Sequence, residues 1–142
     1  MARIVFDVDI EAAQADVVRA LTTETGIRGW WTDDASVGEG VGGELSLGFP
    51  VAPVRFTLRV DEAGPDAVAW TSVGDFPPHW QDTVIRWTLG SVGASGLSVH
   101  FVHDGWAADD GPFGSSALTW GRLMDRLKDH CETGEHAPLF ER

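Results

Sequence analysis

The chain has 142 residues, with 22 acidic against 10 basic side chains and a formal net charge of −12. That balance argues against nucleic acid and against an anionic membrane surface as partners, because such affinity comes mainly from basic side chains displacing counterions. Cys131 is the single cysteine, which rules out an internal disulfide or a thiolate metal cluster and suits a reducing cytoplasm.

From Ile4, the residues Ile4, Phe6, Val8 and Ile10 alternate with Val5, Asp7 and Asp9, the two-residue period of a strand with one wet face. The start, "MARIVFDVDI", lacks the apolar region of an export signal, and no apolar run reaches the length of a membrane span. Neither export nor a span is expected. "EAAQADVVRALTT" then changes period, with Ala13, Val17, Ala20 and Leu21 on one helical face and Glu11 and Asp16 early, where the helix dipole favours acid. From Thr23 to Trp31, Ile27, Trp30 and Trp31 stand three and four apart, so one helical turn points all three the same way. Gly29 beside them leaves bare backbone for a close neighbour.

"SVGEGVGGELSLGF" holds Gly38, Gly40 and Gly43 in the spacing G-x-G-x-x-G. A dinucleotide site would need a helix to follow, whereas "GELSLGF" alternates like a strand, so a glycine-rich hairpin is expected. Four more strands follow. In "VRFTLRV", Val54, Phe56, Leu58 and Val60 turn inward, and Arg55 and Arg59 outward; "AVAWTSV" comes next. "DTVIRWTL" places Ile85, Trp87 and Leu89 on one face with Arg86 opposite, and "LSVHFVH" places Leu97, Val99, Phe101 and His103 together. "GDFPPHW" is too rich in proline for a strand interior and reads as a rim loop. Last, Phe113, Ala117, Trp120, Met124, Leu127 and Cys131 keep a helical period until Gly134 supplies a stop.

The length and the absence of any linker predict one domain over residues 1–142. The order of elements predicts an α+β fold, in which a curved antiparallel sheet of six or seven strands wraps a long C-terminal helix. A strongly curved sheet and one helix do not easily fill the space between them, so a cavity is the natural by-product.

Several stretches in this order carry a resemblance: "IEAAQADVVRALTT", "GIRGWW", "GVGGELSL", "VHFVHDGW", and the final W-x-x-L-x-x-x-L-x-x-x-x-E-x-G of "WGRLMDRLKDHCETG". From Ile4 to about Pro138 they resemble the SRPBCC (START-like) superfamily of helix-grip proteins, and within it the family of the activator of heat-shock protein 90 ATPase. The resemblance implies a hydrophobic cavity between sheet and helix. Its relatives include lipid-transfer domains, hormone and allergen proteins, and aromatase/cyclases. It also puts a lid over the cavity mouth at Trp30 and Trp31, one ring anchoring and the other bordering the opening. A chaperone partner is not expected.

No nucleophile, oxyanion or zinc motif occurs, and no metal or cofactor is expected. His100 and His103 form H-x-x-H, but an odd separation on a strand sends them to opposite faces. His103 is expected at the cavity rim, hydrogen-bonded to a nearby carbonyl, with a base or ligand contact as the alternative. His103 and Asp82 are the catalytic candidates, while His79 shares the rim loop with Asp82. Seven Trp and seven Phe with no Tyr exclude a phenol as acid and favour flat apolar walls with indole N–H donors. The expected ligand-binding residues are Trp30, Trp31, Phe56, Trp70, Trp87, His103, Trp106, Phe113, Trp120 and Met124. The leading function is binding of a small hydrophobic or aromatic metabolite or lipid without a defined reaction. The alternatives are a polyketide cyclase/hydratase-like enzyme and a stress-response or co-chaperone-like interaction module. An exposed sheet edge leaves a homodimer open.

Overall fold

The computed structural model describes residues 2–50, 52, 54–74, 77–92 and 96–141. Strand β1 (Ala2–Ile10) is followed by helices α1 (Gln14–Thr22) and α2 (Glu24–Trp30). Six strands come next: β2 (Asp34–Val37), β3 (Glu44–Gly48), β4 (Phe56–Ala63), β5 (Ala67–Val73), β6 (Val84–Val92) and β7 (Gly96–Trp106). The long helix α3 (Gly111–Thr133) closes the order.

All seven strands form one antiparallel sheet in the order β1-β7-β6-β5-β4-β3-β2. Strands β2 to β7 are a meander, because each is joined to the next by a turn too short for a crossover. The connection through α1 and α2 carries the chain from one edge of the sheet to the other. Alternation decides the dry face: Ile85, Trp87 and Leu89 on β6, and Leu97, Val99, Phe101 and His103 on β7, are all buried. Gly105, at φ 92°, then breaks the period so that Trp106 also turns inward, three residues after His103. A side chain at that φ would be strained, which is why glycine stands there.

Helix α3 buries Trp120, Leu123, Met124 and Leu127. It ends at Gly134, left-handed at φ 77°, whose amide donates to His130 O. Leu123 belongs to this stripe although a strict four–three count from Phe113 passes over it. Two expected inward positions fail. Val54 is 56% exposed, because β4 begins only at Phe56 and the preceding segment bends away. Ala13 is exposed because it is the cap of α1 rather than part of it. In the proline-rich stretch, Asp75 and Phe76 lie outside the described residues, and Pro78–Trp80 form a 3-10 turn. Among the described residues no helix is long and apolar enough to cross a membrane.

The two short helices pack through glycine. A Cβ on Gly29 would lie 2.4 Å from the His130 ring of α3, so the expected close approach is real. A Cβ on Gly26 would lie 2.4 Å from Arg19 O and 2.6 Å from Ala20 Cα, and backbone cannot step aside as a side chain can. Gly26→Ala is therefore expected to cost about 1–3 kcal/mol by overpacking. Urea unfolding, with the midpoint falling at constant m-value, checks this.

Candidate functional site

The centre of the molecule is a cluster of indoles. Trp30 and Trp31 are stacked at 5.4 Å, and Trp31 stacks in turn on Trp70 at 5.9 Å. Trp87 meets Trp30, Trp70 and Phe101 edge to face at 5.9, 5.8 and 4.8 Å. Trp30 Nε1 donates to Ala20 O at 2.8 Å and ties α2 to α1. Both rings of the pair are inside, Trp30 at 0% and Trp31 at 1% exposure. Side by side at the end of α2, the two stack on each other and share the core, and of the pair Trp31 alone also enters the lining of the half-open cavity.

His103 is wholly buried rather than at a rim, and its environment fixes its tautomer. Trp120 Nε1, which can only donate, lies 3.1 Å from His103 Nδ1, so Nδ1 accepts and the proton sits on Nε2. Nε2 then donates to Thr83 Oγ1 at 2.8 Å, and Thr83 Oγ1 donates to Trp80 O at 2.6 Å. The partner is a hydroxyl, not the expected carbonyl; a carbonyl does enter in reverse, since His103 O accepts from Trp106 Nε1 at 3.1 Å. Burial pushes the imidazole pKa down from 6.5 to about 3, with His79 adding to the shift. A neutral ring with both nitrogens engaged ties β7 to α3 and to the loop just before β6, and has no free lone pair for a substrate proton.

The cavity lies beside this network. It is half-open, about 580 Å³, and is framed by the start of α3, the 3-10 turn, the segment after β3 and the C-terminal tail. Its aromatic lining is Trp31, Phe49, Phe56, Trp80, Trp120 and Phe140. His79 and the start of α3, exposed residues that line it, mark the mouth. His79 is stacked on Trp106 at 5.8 Å, and its pKa is lowered by burial, against the opposing charge of Asp110. The tail is fastened along the end of α2: Ala137, Leu139 and Phe140 amides donate to Gly29, Trp30 and Trp31 carbonyls at 3.1, 3.1 and 3.0 Å. These are carbonyls that the helix end leaves without internal partners. The tail thereby brings Phe140 against Phe49, with ring centroids 4.9 Å apart.

Of the expected ligand-binding residues, Trp31, Phe56 and Trp120 line the cavity. Trp30, Trp70, Trp87, His103, Trp106, Phe113 and Met124 are not in its lining. They pack into or against the core, because the indoles fill one another's space instead of standing around a hollow. Asp82 is exposed in the turn after Trp80, in the left-handed region at φ 64°, and is also outside the lining. His79 does sit at the rim, as its loop suggested. His100 is on the opposite face from His103, exposed and 2.7 Å from Asp7. Arg55, Arg59 and Arg86 face solvent in ion pairs with Asp34, Asp61 and Glu62. Among the described residues no group of three or more His, Cys, Asp or Glu side chains could hold a metal. The Cys131 thiol is pushed up to about 12 by burial and by Asp16 and Glu132, so it is no nucleophile.

Sequence reasoning missed Phe49, Trp80 and Phe140, and the hydroxyls of Ser115, Ser116 and Thr119. For the hydroxyls a signal exists. The inward stripe of α3 runs Leu127, Leu123, Trp120 and then turns from apolar to hydroxylated at Thr119 and Ser116, where a fully packed helix would stay apolar.

No family model matches the chain, and no curated protein does. Solved structures do. The chain is 29% identical to the Aha1 dimer of Colwellia psychrerythraea, with a TM-score of 0.84 over 94% of this chain and 98% of that one. It is 20% identical to DynU16, a protein of the dynemicin biosynthetic locus, with a TM-score of 0.74 over 99% of this chain and 51% of that one. CalU16 of Micromonospora echinospora is 15% identical, with a TM-score of 0.73 over 95% of this chain and 76% of that one. The last two show the fold alone. The gripped C-terminal helix and the antiparallel sheet give the chain a helix-grip fold, which it shares with the Aha1 dimer over nearly the whole length of both.

Proposed function

We propose that the protein binds a small hydrophobic or aromatic molecule in the cavity at the first half of α3, without carrying out a reaction on it. The observation that carries this reading is the cavity itself, about 580 Å³ and walled by aromatic rings. Small-molecule sites commonly span roughly 300–1,000 Å³ with such walls and a few placed polar groups. The absence of a proton-transfer role for His103, whose two nitrogens are taken, and the position of Asp82 outside the lining support binding over catalysis. One observation favours the cyclase/hydratase-like alternative: His79 lines the mouth, with its pKa below the ordinary value, beside serine and threonine hydroxyls. Residence in the cytoplasm as a single domain belongs to the same reading. So does a homodimer, supported by the likeness to a dimeric protein and by the two sheet edges at β1 and β2.

Native mass spectrometry of gently purified protein, with thermal shifts against apolar ligands, tests the binding reading. A retained adduct, or stabilisation of about 2.7 kcal/mol at a hundredfold excess over Kd, is expected. No adduct together with no shift across a panel of aromatic and acyl ligands would contradict it.

A further inference from the structure

The cavity is apolar on most sides but not on all. On α3, Ser116 and Thr119 stand three residues apart and both enter the lining. Their hydrogen bonds leave them complementary. Thr119 Oγ1 donates its proton to Ser115 O at 3.0 Å, so toward a ligand it can only accept. Ser116 Oγ accepts the Trp80 indole N–H at 3.3 Å and keeps its own proton to give. An acceptor and a donor side by side match a group that both donates and accepts. A hydroxyl does this, a carbonyl uses only half of the pair, and a hydrocarbon uses none. The lining among the described residues includes no Lys, Arg, Asp or Glu. A carboxylate or an ammonium would therefore enter without a counter-charge, which is costly in an apolar site.

We propose that the ligand is an uncharged, flat aromatic molecule carrying a hydroxyl on one edge, its ring against Trp120 and the facing rings and its hydroxyl on Ser116 and Thr119. This rests on the binding reading above and narrows it to one chemical class. The hydroxyl donates to Thr119 Oγ1 and accepts from Ser116 Oγ. His79 at the mouth leaves room for a second polar group on the ligand's outer edge.

Isothermal titration with three probes of one ring size tests this: naphthalene, 2-naphthol and 2-naphthoate. In the unaltered protein 2-naphthol is expected to bind about tenfold tighter than naphthalene, the worth of one good hydrogen bond, and 2-naphthoate weakest. In Ser116→Ala/Thr119→Val the preference for 2-naphthol should fall toward one while naphthalene affinity stays within about twofold, since the apolar wall is unchanged. Equal binding of naphthalene and 2-naphthol by the unaltered protein would overturn the inference and leave the binding reading standing. So would 2-naphthoate as the tightest probe, or a preference that survives the double substitution. Binding of none of the three would overturn the binding reading, and the inference with it.

Discussion

Replacing Trp120 by alanine is expected to lower stability by about 3–5 kcal/mol, the range for truncating a buried tryptophan. The ring is 1% exposed and lies 4.5 Å from Phe101, 5.1 Å from Trp31 and 6.0 Å from Trp87 between ring centroids, so no neighbour can collapse into its place without unstacking another. The substitution also removes the indole N–H that donates to His103 Nδ1, which leaves that buried acceptor without its partner. Trp120→Phe separates the two effects. It keeps an aromatic ring in the slot and loses the N–H, so a smaller loss of about 1–3 kcal/mol is expected from the unsatisfied imidazole nitrogen. Urea denaturation of both variants reads the two losses. A Trp120→Ala loss under about 1 kcal/mol would mean that the core is not packed around this ring.

Acid should unfold the protein earlier than its surface carboxylates alone would dictate, and His103 is the reason. In the folded state burial holds its imidazole pKa down at about 3, against an ordinary value of 6.5. Between those values the unfolded chain takes up a proton that the folded chain refuses, so stability falls as pH drops from 6.5 toward 3. The contribution is fully present above 6.5 and is lost at about 1.4 kcal/mol per pH unit across that window. His103→Gln keeps an amide donor and acceptor but does not titrate, so its stability should fall less steeply with acid by about that slope. Unfolding free energies at pH 7, 6 and 5 for both proteins give the comparison. Parallel slopes would show that His103 titrates in the folded protein much as it does in the unfolded chain.

Much of the fold was legible because a sheet with one dry face writes its period into the chain. β6 is the clearest case, with Ile85, Trp87 and Leu89 buried and Val84, Arg86 and Thr88 exposed between them. The helix stripe was legible for the same reason, and Gly134 marked its end through the left-handed backbone it adopts. The cavity was not legible in its particulars. Periodicity says which way a ring points, not what it meets. Trp70 and Trp87 point inward as expected and meet each other there, with Trp30 against Trp87 and Trp31 against Trp70, so that rings fill the space beside them. Their own indole N–H groups find no hydrogen-bond partner among the described residues. The rings that do wall the cavity come largely from irregular chain: Phe49 after β3, Trp80 in the 3-10 turn and Phe140 in the tail. No repeat announces such positions. His103 shows the same division, since its inward direction follows from β7, whereas Thr83 and Trp120 reach it from 20 and 17 residues away.

The central claim is that ligand enters between α3, the 3-10 turn and the tail, not among the core indoles. The seven indole N–H signals in a nitrogen-15 correlation spectrum, followed during titration with naphthalene, test it most directly. The expected result is that Trp31, Trp80 and Trp120 shift in step with occupancy while Trp70 and Trp87 stay in place. Shifts confined to Trp70 and Trp87, or seven signals unmoved at saturating probe, would contradict it.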